Sequence, residues 1–226
     1  MNDIKLSVII PALNEEEQLP KLLDFLTTNS TDATEIIVVD GGSTDDTFQL
    51  ANQHGVEALR SEKGRAVQMN AGAKSAKGKI FYFLHADTLP HKDFESIILE
   101  SMENYNAGSF RMKFEPNGWL LRKYAWFTRF NWRICRGGDR SLFITKELFE
   151  ELGRYAEVPI MEDYILFSKT LKHGRFVSLK EEVVTSSRKY KKRGVITLQL
   201  LYGLIHLLWW LGVSEKRLSK LISKTQ

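Results

Sequence analysis

The chain has a single cysteine, Cys135, so no disulfide can form within it, which fits a reducing compartment. Only five prolines are spread over 226 residues. No Pro-, Ser- or Gly-rich tract, internal repeat or low-complexity segment marks a linker or a disordered region. No basic-then-apolar leader stands at the N-terminus, because strand-like sequence begins almost at once; a cytoplasmic location is expected on that ground. No nucleic-acid-binding motif occurs. The first apolar run is followed by Pro11-Ala12-Leu13-Asn14 and not by a Gly-x-Gly-x-x-Gly turn, which argues against an NAD-dependent oxidoreductase. Net charge is small, +4, yet uneven. Lys189, Lys191, Lys192 and Arg193 form one basic run, and Lys216, Arg217, Lys220 and Lys224 a second.

What is present is a globular composition, 43% hydrophobic and 27% charged, of a size for one α/β domain. Four acidic boxes each close an apolar run. Ser7–Ile10 leads into Pro11-Ala12-Leu13-Asn14-Glu15-Glu16, and Glu35–Val39 into Asp40-Gly41-Gly42-Ser43-Thr44-Asp45-Asp46. Ile80–Leu84 leads into His85-Ala86-Asp87, and Pro159-Ile160-Met161 into Glu162-Asp163. The first three runs have the length and β-branched or aromatic content of buried strands. Between them, Glu15–Thr27 and Gly64–Ala76 have helical spacing, and Ser43 with Asp46 resembles a capping box for a helix ending near Gly55. Val56–Leu59 reads as a short strand. The alternation predicts a mostly parallel sheet with helices on both faces. Beyond residue 105, Ala107–Phe114 and Leu142–Ile144 read as strands, and Trp119–Trp132 and Glu162–Lys172 as helices.

In an open α/β sheet ligands gather at the carboxyl ends of strands. Crowded carboxylates there call for a cation, so a metal-bridged site for a phosphorylated ligand is the simplest expectation. Asp40 can accept from a nucleobase N–H or a ribose hydroxyl, or serve only as a turn cap. His85 and Asp87, two apart in extended chain, can face one ligand with Ala86 leaving room. Asp87 suits Mg²⁺ or Mn²⁺, and the His85 imidazole favours Mn²⁺; the alternative is a solvated strand end turning into Pro90. Asp163, with Glu162 beside it, can act as a general base or merely complement a helix dipole.

Taken in order, these residues resemble the family-two inverting glycosyltransferases of GT-A fold, over roughly residues 5–190. Gly64-Arg65-Ala66-Val67-Gln68-Met69-Asn70-Ala71-Gly72 is similar to a nucleotide-contacting segment of that family. His85-Ala86-Asp87 stands where the family carries Asp-x-Asp, and Glu162-Asp163 resembles its base motif. The Leu-His-Ala-Asp-Thr variant is similar to a short bacterial branch related to the dolichol-phosphate-sugar synthases. The resemblance implies that Pro11, Ala12 and Glu15 line a nucleotide pocket, with Asp40 on the base and Arg65 near base or ribose. His85 and Ala86 would belong to the donor site, Asp87 would hold the cation, and Asp163 would take the proton of an acceptor hydroxyl. Arg140 and Arg188 are candidates to assist the leaving group. Gly138, Asp139, Arg140, Glu162 and Trp126 fall in the segments that shape the acceptor site. The donor would be a nucleoside-diphosphate sugar of UDP or GDP type, and the acceptor hydroxyl is unidentified. A catalytically silent nucleotide-sugar-binding module is the competing expectation, against which Asp163 speaks, since a sensor needs no base.

Residues 194–214 carry no charged side chain and are long enough to span a bilayer. Gln199, Gly203 and His206 form a polar or small stripe along them, and basic runs flank both ends. We expect residues 1–193 to be the catalytic domain. Residues 194–226 are expected to form an apolar helix with basic flanks, lying on the inner leaflet of the cell membrane or packed on the domain. A lipid-linked acceptor would suit the former.

Overall fold

The structure, a computed structural model, describes residues 3–115, 141–188 and 194–224. In chain order its elements are β1 (Leu6–Ala12), α1 (Leu19–Asn29), β2 (Thr34–Asp40), α2 (Thr47–Gln53), β3 (Glu57–Arg60) and α3 (Arg65–Ser75). They continue with β4 (Ile80–Phe83), β5 (Thr88–Leu89), α4 (Phe94–Ser101), β6 (Ala107–Glu115), β7 (Leu142–Thr145) and α5 (Lys146–Glu151). The last are α6 (Glu162–His173), β8 (Phe176–Ser186), α7 (Val195–Trp210) and α8 (Glu215–Lys224). The eight strands form one sheet in the order β3-β2-β1-β4-β7-β6-β8-β5.

Every residue of β1 is buried, and the pleat sends alternate side chains to opposite faces. Val8 and Ile10 join one core layer with Leu19, Leu22, Leu23 and Leu26 of α1. Ile9 joins the other, with Ala66, Met69 and Ala73 of α3. Burial on both faces explains the unbroken apolar runs of β1 and β2. Each fully buried Leu of α1 contributes about 1.5–3 kcal/mol. Gly72 lets α3 approach the sheet, because a Cβ there would stand 2.5 Å from Ile9 Cγ2.

The parallel sheet expected from the sequence holds for β3-β2-β1-β4. Beyond β4 the sheet is mixed. β7 runs antiparallel to both β4 and β6, β8 runs parallel to β6, and β5 pairs antiparallel with the end of β8, Thr88 opposite Thr185. That last pairing brings residues 185–188 beside the end of β4.

Several local expectations are corrected. α1 begins at Leu19 and not Glu15, since Pro20 occupies its first turn, where a missing N–H costs nothing. Ser43 and Asp46 form no capping box: Asp46 makes no side-chain cap to α2, and the Ser43 hydroxyl accepts from the Asn14 N–H at 2.9 Å. Helices α4 and α5 and strand β8 were not expected from the sequence. The aromatic segment 119–132 with Trp126, and Gly138, Asp139 and Arg140, lie outside the described residues.

α7 buries Leu198 and Ile205, and Leu198 enters the same core layer as α1. Among the described residues no helix is long and apolar enough to cross a membrane.

Candidate active site

β1 and β2 end level, Ala12 opposite Asp40. The loops that follow are laced together. Asn14 takes a left-handed conformation, φ 55°, which a short amide side chain tolerates. Its Oδ1 accepts from the Thr44 N–H at 2.9 Å. The Glu15 N–H donates to Thr47 Oγ1 at 2.8 Å, and the Glu16 N–H to Asp45 at 3.2 Å. Asp40 is 2% exposed, and its carboxylate accepts from the N–H groups of Gly42 and Ser43 at 3.2 Å. It therefore holds its own turn.

Gln68 supports both strand ends from below. Its Nε2 donates to the carbonyls of Ala12 and Val39, each at 2.8 Å. Gly41 makes room for it, since a Cβ would lie 2.9 Å from Gln68 Cδ. This residue escaped the reading of the sequence. Its signal was a polar side chain on the inward face of α3, between Ala66 and Gly72, where apolar residues belong.

The His85-Ala86-Asp87 turn is fixed through β8. The Ser186 N–H donates to the Asp87 carbonyl at 3.0 Å, and the buried hydroxyls of Thr88 and Thr185 hydrogen-bond at 3.0 Å. Arg188, just past β8, turns back over the strand ends. It pairs closely with Glu15 and stands 3.7 Å from Asp87. Burial alone would lower the Arg188 pKa; the Glu15 hydrogen bond and the charges of Glu15, Asp87 and Glu17 outweigh that and hold it above its ordinary value.

A second arginine serves the other member of the box. Arg65, the first residue of α3, donates to Asp163 Oδ2 and lies 3.4 Å from Glu162. It also donates to His85 Nε2 at 2.9 Å, which makes that nitrogen an acceptor. His85 and Asp87 thus share one turn but pair with different arginines. The acidic residue pair opens α6 after Met161, whose φ of 72° is unusual for a non-glycine residue. Below it Tyr155 is 3% exposed. Burial, with the negative charge of Asp163, pushes its phenol well above the ordinary value. Asn70 clamps the Tyr155 backbone, donating to its carbonyl at 3.0 Å and accepting from its N–H at 3.1 Å.

The positive charge that crowded carboxylates require is supplied here by Arg65 and Arg188. Among the described residues no three or more His, Cys, Asp or Glu side chains gather so as to hold a metal ion. Asp87 offers a hard oxygen at the strand end. One such carboxylate suits a cation that takes its other ligands from phosphate and water, so the donor set fits a substrate-shared cation and not a protein cage.

A sequence model of glycosyl transferase family 2 matches residues 7–156. The chain is 26% identical over 167 residues to a glycosyltransferase of Haloferax volcanii, covering 66% of this chain and 55% of that protein. It is 37% identical over 101 residues to the dolichyl-phosphate beta-glucosyltransferase of Drosophila melanogaster, covering 37% and 31%. It thus spans about half the length of the former and a third of the latter. Among solved structures, Staphylococcus aureus TarS residues 1–349 in complex with UDP-GlcNAc superpose with a TM-score of 0.68 at 21% identity, over 81% of this chain and 59% of that one. A mannosyltransferase of Pyrobaculum calidifontis in complex with GDP-Man and Mn²⁺ gives 0.70 at 20% identity, over 93% and 65%. The fold is the GT-A fold of these glycosyltransferases.

Proposed function

The chain belongs to glycosyl transferase family 2, and from that premise we propose that it moves a sugar, with inversion, from a UDP- or GDP-type nucleoside-diphosphate sugar to an acceptor hydroxyl. The observation that carries this is the double pairing of one turn: His85 shares Arg65 with Asp163, and Asp87 shares Arg188 with Glu15. A candidate base and a candidate diphosphate site thereby meet in one crevice. The ends of β1 and β2, with Pro11, Ala12, Glu15 and Asp40, form the nucleotide side. Asp163 takes the acceptor proton as the acceptor oxygen bonds to the sugar carbon and the bond to the diphosphate breaks. Arg65 orients Asp163 and compensates its charge until the hydroxyl arrives. Arg188 can turn from Asp87 toward the departing phosphate oxygens, stabilising charge where it develops. Mn²⁺ or Mg²⁺, held by Asp87 when bound, would neutralise charge on the diphosphate, and His85 beside it would bias the preference toward Mn²⁺. A lipid-linked acceptor at the inner face of the cell membrane suits the apolar α7, which packs on Tyr164 next to the base.

Asp163→Asn tests the assignment. Donor affinity by calorimetry should stay close to wild type, because the base acts on the acceptor. Transfer, or slow donor hydrolysis, should fall by about 10²- to 10⁴-fold. Full turnover in the variant would remove Asp163 from the mechanism. Donor binding without turnover by the wild type, across a broad acceptor panel, would favour the silent binding module.

A further inference from the structure

Helix α7 is apolar on two opposite faces. One packs inward: Leu198 and Ile205 are each 3% exposed, and Tyr202 lies against the same core. The other has no cover among the described residues. Ile196, Leu200, Leu204, Leu207 and Leu211 recur at intervals of three and four, which aligns them in one stripe, with Trp210 at its edge. Their exposure runs from 48% at Leu204 to 74% at Trp210. Contiguous apolar surface of this kind marks an interaction site. Two polar side chains of the helix are engaged within the chain. His206 Nδ1 donates to the Tyr202 carbonyl at 2.8 Å, and Trp209 Nε1 to Glu215 at 3.0 Å. Gly212, at φ +85°, turns the chain into α8. There Leu218 is fully buried, while Lys216, Arg217 and Lys220 are exposed on the opposite side.

We propose that the outer stripe of α7 and the basic side of α8 dock this chain on an anionic lipid bilayer, with α7 lying in the interface plane. The charge points to that occupant. The exposed Lys216, Arg217 and Lys220 of the helix that directly follows the stripe are matched by anionic headgroups, whereas a second copy of the chain would add only the same positive charges. At 16 residues, α7 is about 24 Å long, short of a span and suited to shallow burial. The docked helix also touches the active centre. Tyr164, the neighbour of Asp163, packs edge-on against Trp209 at 5.1 Å and His206 at 5.6 Å between ring centroids. On the transferase reading, which the docking itself does not need, this holds the Asp163 helix against the surface that carries a lipid-linked acceptor.

The test is co-sedimentation of the full chain with neutral phosphatidylcholine vesicles and with vesicles containing phosphatidylglycerol. Wild type should pellet with the anionic vesicles at low salt and be released at about 0.5 M salt, where screening shortens to a few ångströms. Leu200→Glu with Leu204→Glu should weaken binding at least about a hundredfold, the loss of two buried leucines. Lys216→Glu with Arg217→Glu should weaken it roughly thirtyfold or more, at about tenfold per 1.4 kcal/mol. Both variants alter exposed side chains and should keep wild-type thermal melts and nucleotide-induced thermal shifts. Recovery of wild type in the supernatant with both lipids at low salt would overturn the proposal. So would unchanged binding by the leucine variant, or a concentration-dependent dimer that the leucine variant abolishes. Vesicle binding by a protein that transfers no sugar would instead sink the transferase assignment and leave the docking intact.

Discussion

Replacing Arg188 with methionine removes the cation that stands between the end of β1 and the end of β4. The geometry sets the scale. At an effective dielectric near 20, the 3.7 Å contact with Asp87 is worth roughly 4 kcal/mol before any desolvation cost. The arginine side chain is 37% exposed, and its partners Glu15 and Asp87 only 16% and 10%. Exposed pairs contribute about 0–1 kcal/mol, whereas breaking a buried pair costs about 3–5 kcal/mol; this site lies between and nearer the exposed limit. We expect a loss of about 1–2 kcal/mol, or roughly 3–6 °C in Tm for a chain of this size. Arg188→Lys should recover most of it. The sharper consequence concerns cations. With Arg188 gone, Glu15 and Asp87 both lose its positive charge, so Mn²⁺ should stabilise the variant without any donor, at concentrations about tenfold below those needed for wild type. Under the proposed function, kcat should also fall about 10²- to 10³-fold, the usual effect of losing one donor to a developing anion. Thermal denaturation across a Mn²⁺ titration, followed by donor turnover, measures all of this. An unchanged Tm together with an unchanged Mn²⁺ response would refute the view that Arg188 is the internal counter-charge of this site.

Asp87→Ala should abolish the metal-dependent part of the nucleotide-induced thermal shift, and undiminished metal dependence would place the cation elsewhere. His85→Asp should narrow a preference for Mn²⁺ over Mg²⁺; identical metal profiles would dismiss the imidazole as its cause. Gly72→Ala should destabilise by about 1–3 kcal/mol through overpacking, because the new Cβ meets Ile9 at 2.5 Å and Val39 at 3.1 Å; a urea midpoint at or above wild type would contradict that contact. Burial alone would raise the Asp45 pKa, but hydrogen bonds from Thr47 and the Glu16 N–H hold it below its ordinary value. Its stabilisation is therefore present above about pH 4 and lost as pH falls through the carboxylate range. Asp45→Asn should flatten that part of the acid dependence of unfolding, and identical acid profiles for the two proteins would discount it.

The sequence by itself determined the strands that lead to the site. Val8 to Ile10, Ile36 to Val39 and Ile80 to Phe83 are apolar because both of their faces are buried, and a run of that kind is legible without knowing its neighbours. The acidic boxes at their ends were legible for the same reason, since a carboxylate next to a buried strand has to sit at its end. Strand β8 was not. Its burial is mostly intermediate and it carries Lys180, Glu181 and Glu182, so neither alternation nor an apolar run betrays it. Its identity comes from pairing with β6 and β5, contacts between segments far apart in the chain. The partners of the acidic residues were equally hidden. Asp163 meets Arg65 across 98 positions and Glu15 meets Arg188 across 173. A guanidinium's choice among carboxylates depends on which strand ends the sheet order brings together, and local periodicity holds no record of that order. Tertiary structure alone decided that His85 and Asp87, two apart in one turn, answer to different arginines.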